Sequence, residues 1–345
     1  MLRIGIVGYG YWGPNLVRNF STTQGAEVKI VADLDPARLA RVKQLNPAIE
    51  VTADIQDLLA NPDLDAVAIA TPVSTHYELA LQALRANKHV FVEKPIAENS
   101  EQTEHLIEEA EKRDLVLHVD HTFIYTGAVR KMRDLVRDGE IGDIYYYDST
   151  RVNLGLFQSD VNVMWDLAVH DLSIMDYVLP SKVTAVSASG VSHLKGQPAN
   201  VAYLTVFFED NCIAHLHVNW LSPVKLRKTL LGGSRKMIVY DDLEPSEKIK
   251  IYDKGITLHE DKEKAYQQRV AYRSGDMLAP ELDIREALQV EAEQFLRCIN
   301  ENIASPSNGQ AGLRVLRILE AATVSLSERG RPVKLGWNGR GMKVA

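Results

Sequence analysis

Residues 1–121 alternate between short apolar runs and amphipathic stretches, and this alternation constrains the fold more than any other feature of the chain. RIGIVG, EVKIVADLD, DAVAIAT, HVFVEKP and DLVLHVDH read as strands. Between them, Pro14–Ser21, PARLARVKQL, Thr75–Ala86 and Ser100–Arg113 read as helices, Pro36 sitting at a first helical position where its missing N–H costs nothing. Strands alternating with helices imply βαβ units and a parallel sheet. The near-continuous apolar strands fit a sheet covered on both faces. A parallel α/β domain over 1–121 is therefore expected.

The turn after the first strand reads Gly8-Tyr9-Gly10-Tyr11-Trp12-Gly13. A lone G-x-G-x-x-G is weak evidence, but this one lies between a strand and a helix whose free N–H groups suit a pyrophosphate. The second strand ends at Asp33, twenty residues after Gly13, where a carboxylate takes ribose hydroxyls. Asp33 opposes a 2′-phosphate by charge and Leu34 offers no cation, so NAD is favoured over NADP. Arg38, one turn into the next helix, is the possible exception.

After residue 122 the pattern changes. Ala128–Asp138 and Met164–Leu179 are helical, and DIYYYDSTRVNL, VTAVSASGVS, ANVAYLTVFF, CIAHLHVNWL, RKTLLGG and KMIVYDD are strands. Strands in series without intervening helices make a mostly antiparallel sheet. The expected fold is an α/β Rossmann domain followed by an α+β domain over 122–345 with a large, mostly antiparallel open sheet. Such a sheet has too few helices to cover it, so a homodimer or homotetramer is expected.

Composition excludes some partners. The 345 residues carry a net charge of −7 with no basic block, against nucleic-acid or anionic-membrane binding. No apolar stretch approaches the roughly 18 residues of a membrane span. The opening MLRIGIVGYG runs directly into a strand, so no secretory leader is expected. Two isolated cysteines, Cys212 and Cys298, suggest a reducing compartment and a cytoplasmic location.

HVFVEKP at 89–95 is the most informative stretch, because a lysine directly after a buried strand faces the ligand crevice of an open α/β sheet. GYGYWG, ATPVSTH at 70–76 and VEKP at 92–95 together resemble the Gfo/Idh/MocA family of sugar and cyclitol oxidoreductases. The resemblance continues through GEIGDI at 139–144, WDLAVHD at 165–171 and GLRVLRILEAATVSLSERGRPVKL. It implies an N-terminal NAD(P)-binding domain and a second domain whose open sheet carries substrate. It also implies that Lys94 is catalytic and that Pro95 follows a cis bond. The expected cofactor-binding set is Gly8, Gly10, Tyr11, Trp12, Gly13, Asp33, Thr71, Pro72, His76, Glu93, Lys94 and Trp165.

Asp166 and His170 are four apart, so a helix presents both on one face. Read alone, they are more readily a surface histidine and its carboxylate neighbour. The resemblance implies instead that His170 takes a hydroxyl proton, Lys94 holds the substrate oxygen, and Asp166 positions substrate or base. Asp171 projects about 100° away around the helix, which puts a base-orienting role for it in doubt. Arg151, Asn153 and Arg227 are further substrate candidates beside Lys94, Asp166 and His170, with Lys225 sharing Arg227's alternation. Each of these strand residues, like His215 and His217, is also readable as part of a solvated sheet face. His118, Asp120 and His121 alternate on a strand rather than converge, and no metal is expected.

Family members carrying GYWGPNLVRNF, HTF-x-Y and NLG…SDVNV-x-WDLA-x-HD are associated with 3-dehydrogenation of UDP-N-acetylglucosamine or its uronic acid. The expected activity is thus NAD-dependent hydride transfer from a secondary alcohol of a small-molecule sugar or nucleotide sugar. Reduction of a 3-keto nucleotide sugar, oxidation of a cyclitol or free sugar, redox-assisted glycoside cleavage and a catalytically silent NAD-binding regulator are the alternatives.

Overall fold

A computed structural model of the chain describes residues 1–155, 161–253, 255–258, 270–338 and 341–344. The chain divides into two compact units, Met1–Thr126 with Arg285–Arg317, and Gly127–Ile284 with Ile318–Ala345. Among the described residues, no helix is long and apolar enough to cross a membrane.

The first unit runs β1 (Leu2–Val7), α1 (Gly13–Thr22), β2 (Ala26–Ala32), α2 (Pro36–Leu45), β3 (Glu50–Thr52), α3 (Ile55–Leu59), β4 (Ala66–Ile69), α4 (Val73–Arg85), β5 (His89–Glu93), α5 (Ser100–Lys112) and β6 (Leu117–Asp120). Local chemistry starts the helices. The Asp35 and Asn99 side chains accept the Ala37 and Gln102 N–H groups at the heads of α2 and α5. The six strands pair in parallel in the order β3-β2-β1-β4-β5-β6. The order reverses between β1 and β4, so the carboxyl ends of those strands open a crevice for a ligand.

The second unit contains α6 (Gly127–Arg137), β7 (Ile144–Leu154), a π-helical turn (Met164–Ala168) and α7 (Val169–Val178). There follow β8 (Val183–Val191), β9 (Val201–Phe208), β10 (Ile213–Asn219), β11 (Leu221–Gly233), β12 (Met237–Asp241), β13 (Ile249–Tyr252), the hairpin β14 (Gly255–Leu258) and β15 (Val270–Arg273), and β16 (Met277–Leu278). After α8 (Ala287–Glu301) and α9 (Gly309–Ser327), the chain ends in β17 (Val333–Asn338) and β18 (Gly341–Val344). Ten strands form one open sheet, antiparallel except for the β7–β10 pair. Period-2 alternation holds along β10, where Ala214, Leu216 and Val218 are buried and Ile213 and His215 are exposed.

One difference from the sequence reading concerns residues 285–317, expected in the second domain but belonging to the first unit. The cause is α8. Leu288, Ala292, Phe295 and Leu296 fall on one helical face and join the core of Ile6, Leu16, Phe20 and Phe91. The Phe295 ring meets Phe91 edge-on at 5.5 Å and Phe20 at 6.2 Å. Truncating such a buried ring costs about 3–5 kcal/mol, so α8 is an integral part of this core.

Candidate active site

The glycine turn is built for close approach. Gly8 has φ +93°, and a Cβ there would lie 2.5 Å from the Ala70 carbonyl oxygen. A Cβ on Gly13 would lie 2.1 Å from the Gly8 carbonyl oxygen. Both positions therefore exclude any side chain. A Cβ on Gly10 would meet only the Arg38 guanidinium, at 3.6 Å, leaving the backbone open to a ligand. Trp12, the N-cap of α1, makes no side-chain cap; Pro14 has no N–H, and the Asn15 and Leu16 N–H groups donate to the Trp12 carbonyl at 2.9 and 3.3 Å, so the Gly13 N–H is the one this helix start offers an anion. Tyr11 stands in solvent at 92% exposure.

Asp33 ends β2 and is buried. Its Oδ2 accepts the Tyr9 N–H at 2.6 Å and its Oδ1 accepts the Asp35 N–H at 2.8 Å. Arg38 Nη1 lies 3.4 Å from Oδ2. A carboxylate has about four lone-pair sites, so two backbone donors leave capacity for ribose hydroxyls. Uncapped helix, open Gly10 and Asp33 together fit the pyrophosphate and adenosine ribose of NAD.

At the ends of β4 and β5, Pro72 caps α4, Thr71 bonds Thr75 at 2.7 Å, and the Lys94–Pro95 bond is cis. The Lys94 N–H donates to the Glu93 carboxylate. His76, expected to touch cofactor, is 1% exposed and instead ties two loops together. Its Nε2 lies 2.8 Å from the Thr71 carbonyl and its Nδ1 2.8 Å from the Pro95 carbonyl. Burial pushes its pKa down, and a neutral ring donates to only one of the two carbonyls. It therefore supports the cofactor strand ends from beneath.

Sequence reasoning missed a polar cluster under these strand ends. Asp120 accepts the Trp12 indole N–H at 2.6 Å and the Thr122 hydroxyl. His118 and Glu291 are fully buried, with Nε2 and Oε1 3.2 Å apart. The His118 ring also meets Ser305 at 2.9 Å and Ser307 at 3.0 Å. Burial pushes His118 and His121 each down to about 3, so both are neutral at ordinary pH. The available signal was HVDH itself, four residues with three titratable side chains at the end of an apolar strand. Glu291 gave none, because only the fold of α8 brings it there. Among the described residues, no group of three or more His, Cys, Asp or Glu is arranged to hold a metal.

In the second unit, Asp166 sits in the π-helical turn and His170 in the first turn of α7. Such turns widen a helix and recur at functional sites. The Trp220 indole donates to Asp166 Oδ2 at 2.9 Å and fixes that carboxylate. Trp165 directs its indole N–H to Thr323 at 3.0 Å.

Arg151, expected at the substrate, is corrected by the structure. It is 2% exposed, and its Nε and Nη2 donate to the Asp171 carboxylate at 2.7 and 3.2 Å. A buried guanidinium needs such a counter-ion, and here the pair fastens α7 to β7. Asp171 thus anchors the helix that carries His170. Asn153, two residues along β7, is half-buried. Arg227 lies opposite Arg151 in the β7–β11 register and pairs with Asp242 at 3.2 Å. Lys225 is exposed. His215 and His217 stack on Tyr203, with ring centroids 6.1 and 4.4 Å apart. Their β10 neighbour Val218 aligns with Arg151, so by alternation they occupy the opposite sheet face from the Arg151–Asp171 pair. Ser159 and Asp160 of the SDVNV motif lie outside the described residues.

The strand order and the glycine turn at its reversal point define a Rossmann-type dinucleotide-binding protein. Residues 2–121 match the oxidoreductase family with an NAD-binding Rossmann fold, and residues 129–239 match the GFO/IDH/MocA C-terminal domain. The chain belongs to the Gfo/Idh/MocA family and is an NAD-binding dehydrogenase acting on CH–OH groups.

Among solved structures it is similar to UDP-N-acetylglucosamine 3-dehydrogenase GnnA from Acidithiobacillus ferrooxidans, with TM-score 0.80 and 25% identity over 95% of this chain and 98% of that one. It also resembles scyllo-inositol dehydrogenase from Lactobacillus casei with bound NAD(H) and scyllo-inositol, with TM-score 0.78 and 21% identity over 97% and 99% of the two chains. The NADP-dependent scyllo-inositol 2-dehydrogenase IolW of Bacillus subtilis is 24% identical over 95% of this chain and 94% of its own.

Proposed function

We propose that the enzyme oxidises the C3 hydroxyl of a nucleotide sugar, UDP-N-acetylglucosamine or its uronic acid, with NAD as hydride acceptor. The likeness to the UDP-N-acetylglucosamine 3-dehydrogenase along almost the whole of both chains carries this reading. His170 takes the hydroxyl proton while the Lys94 ammonium holds the same oxygen and offsets its developing charge. Asp166, held by Trp220, bonds the sugar beside the reacting carbon. Glu93, Thr71 and Pro72, at the carboxyl ends of β4 and β5, are the groups this reading offers to the nicotinamide. Bound NAD supplies the two-electron acceptor. The enzyme works in the cytoplasm as a homo-oligomer.

Cyclitol oxidation is the second reading. It is favoured by the pairing of Arg227 with Asp242, which offsets one of the two cations a diphosphate would draw on. The experiment is a screen of UDP-N-acetylglucosamine, its uronic acid, myo-inositol and scyllo-inositol with NAD, following NADH. Turnover of an inositol but of neither nucleotide sugar would replace the first reading with the second.

A further inference from the structure

Beneath the end of β5, two acids from distant parts of the chain meet. Asp120 ends β6 and lies beside Glu93 in the β5–β6 register. Glu291 comes from α8, and the two carboxyls are in hydrogen-bond contact. Two carboxyl groups bond each other only when one carries a proton. Asp120 has two donors besides, the Trp12 indole and the Thr122 hydroxyl, one on each oxygen. Glu291 meets His118 at Oε1 and has the His121 backbone nearby, while among the described residues its Oε2 accepts from no aligned N–H or O–H group. Donors stabilise an anion and their absence stabilises the acid.

We propose that Glu291 is a protonated acid donating to an ionised Asp120, and that this anion is a positioning residue for the cofactor site. Asp120 holds Trp12, the residue before Gly13, and so fixes the glycine turn. It also sets a buried negative charge next to Lys94. The groups around the pair are Glu93 at the end of β5, Lys94 after it, His118 from β6, His121 after that strand, Tyr125, and Arg314 from α9. Burial raises both acids. Thr122, Trp12 and Lys94 pull Asp120 back, whereas the charge of Asp120 drives Glu291 further up. The His118–Glu291 contact is then a bond between neutral groups, not an ion pair.

The inference rests on the NAD-binding reading of the site and not on the sugar, so it is tested without substrate. Glu291→Gln replaces the donated proton with an amide N–H and should bind NAD as the wild type does. Asp120→Asn must turn an NH₂ against either Trp12 or Thr122 and should weaken NAD binding by about tenfold or more. The infrared spectrum of the wild-type protein at neutral pH should show a protonated-carboxyl band that shifts on deuteration and disappears in Glu291→Gln. A wild-type protein without that band overturns the proposal even if neither variant folds. So does a band that survives Glu291→Gln, or an Asp120→Asn protein with unchanged NAD affinity.

Discussion

The backbone N–H of Tyr9 donates to Asp33 Oδ2 at 2.6 Å, so the carboxylate at the end of β2 closes the first turn of the glycine loop. Asp33 thereby shapes the loop, and the same carboxylate is the one expected to select the ribose. NAD is expected to bind more tightly than NADP. Asp33→Ala should narrow that preference and also weaken NAD by about tenfold, since the bond is charge-assisted. Arg38→Ala should lower NADP affinity more than NAD affinity. Titrating each protein with both cofactors measures all three effects, and tighter NADP binding by the wild type would assign the pocket to Arg38.

His170→Asn should reduce turnover about 10²–10⁴-fold with NAD affinity nearly unchanged, the usual worth of a positioned proton acceptor. Lys94→Ala should be at least as damaging. The rise of the oxidation rate with pH should vanish in the His170 variant. Persistence of that rise would make another group the base.

Breaking the buried Arg151–Asp171 pair by Arg151→Met strands a carboxylate and should cost about 3–5 kcal/mol of stability. The double variant Arg151→Met/Asp171→Leu should recover much of that loss. Denaturant unfolding of the single and double variants provides the comparison. Equal destabilisation in both would mean that packing, not charge, dominates there.

Acid should unfold the first unit through its buried imidazoles. His118 and His121 stay neutral down to about 3, whereas an unfolded histidine protonates near 6.5. Their stabilisation is complete above 6.5 and is lost as pH falls towards 3, at about 1.4 kcal/mol per pH unit per histidine. The proton on Glu291 acts oppositely, since a raised carboxyl favours the folded state as pH falls towards the ordinary carboxylate range. The steepest loss should therefore come below about pH 4.5, where the carboxyls are protonated in both states. Melting temperatures between pH 7 and about 3 should show it, and His118→Gln should flatten the profile.

Tyr203 and Ile213, each 43% exposed, and Leu226, 44% exposed, share the open face of the ten-stranded sheet. A second copy is expected to cover that face in a closed assembly. Sedimentation at micromolar concentration should show a dimer or tetramer, and Tyr203→Glu should shift it towards monomer.

Much of this architecture was legible because period and punctuation agree locally. Gly8, Pro36 and Pro72 mark their turns in sequence, and the β-branched runs between them are strands on propensity alone. Asp33 and Lys94 stood out because each follows a strand end, and Asp166 and His170 because their helical spacing matches the family resemblance. What could not be read was long-range. Arg151 looks like a free cation on an alternating strand until Asp171 arrives from α7. Glu291 looks like a surface residue of an amphipathic helix until Phe295 draws that helix into the first unit. His76 reads as a ligand contact until two carbonyls, from separate loops, are found on its ring.

The return of residues 285–317 to the first unit also fixes when that unit can be finished during synthesis. Chains emerge from the ribosome amino end first, and the strands of the nucleotide site are all made by Asp120. Yet Phe20 and Phe91 stay without their cover, and Asp120 without Glu291, until α8 has been translated. The nascent Rossmann half must therefore wait, with an open core, while the whole ten-stranded sheet except its last strands is being made. A fragment cut at residue 121 or 284 should inherit that unfinished state and call on chaperones, whereas the intact chain seals both units almost together.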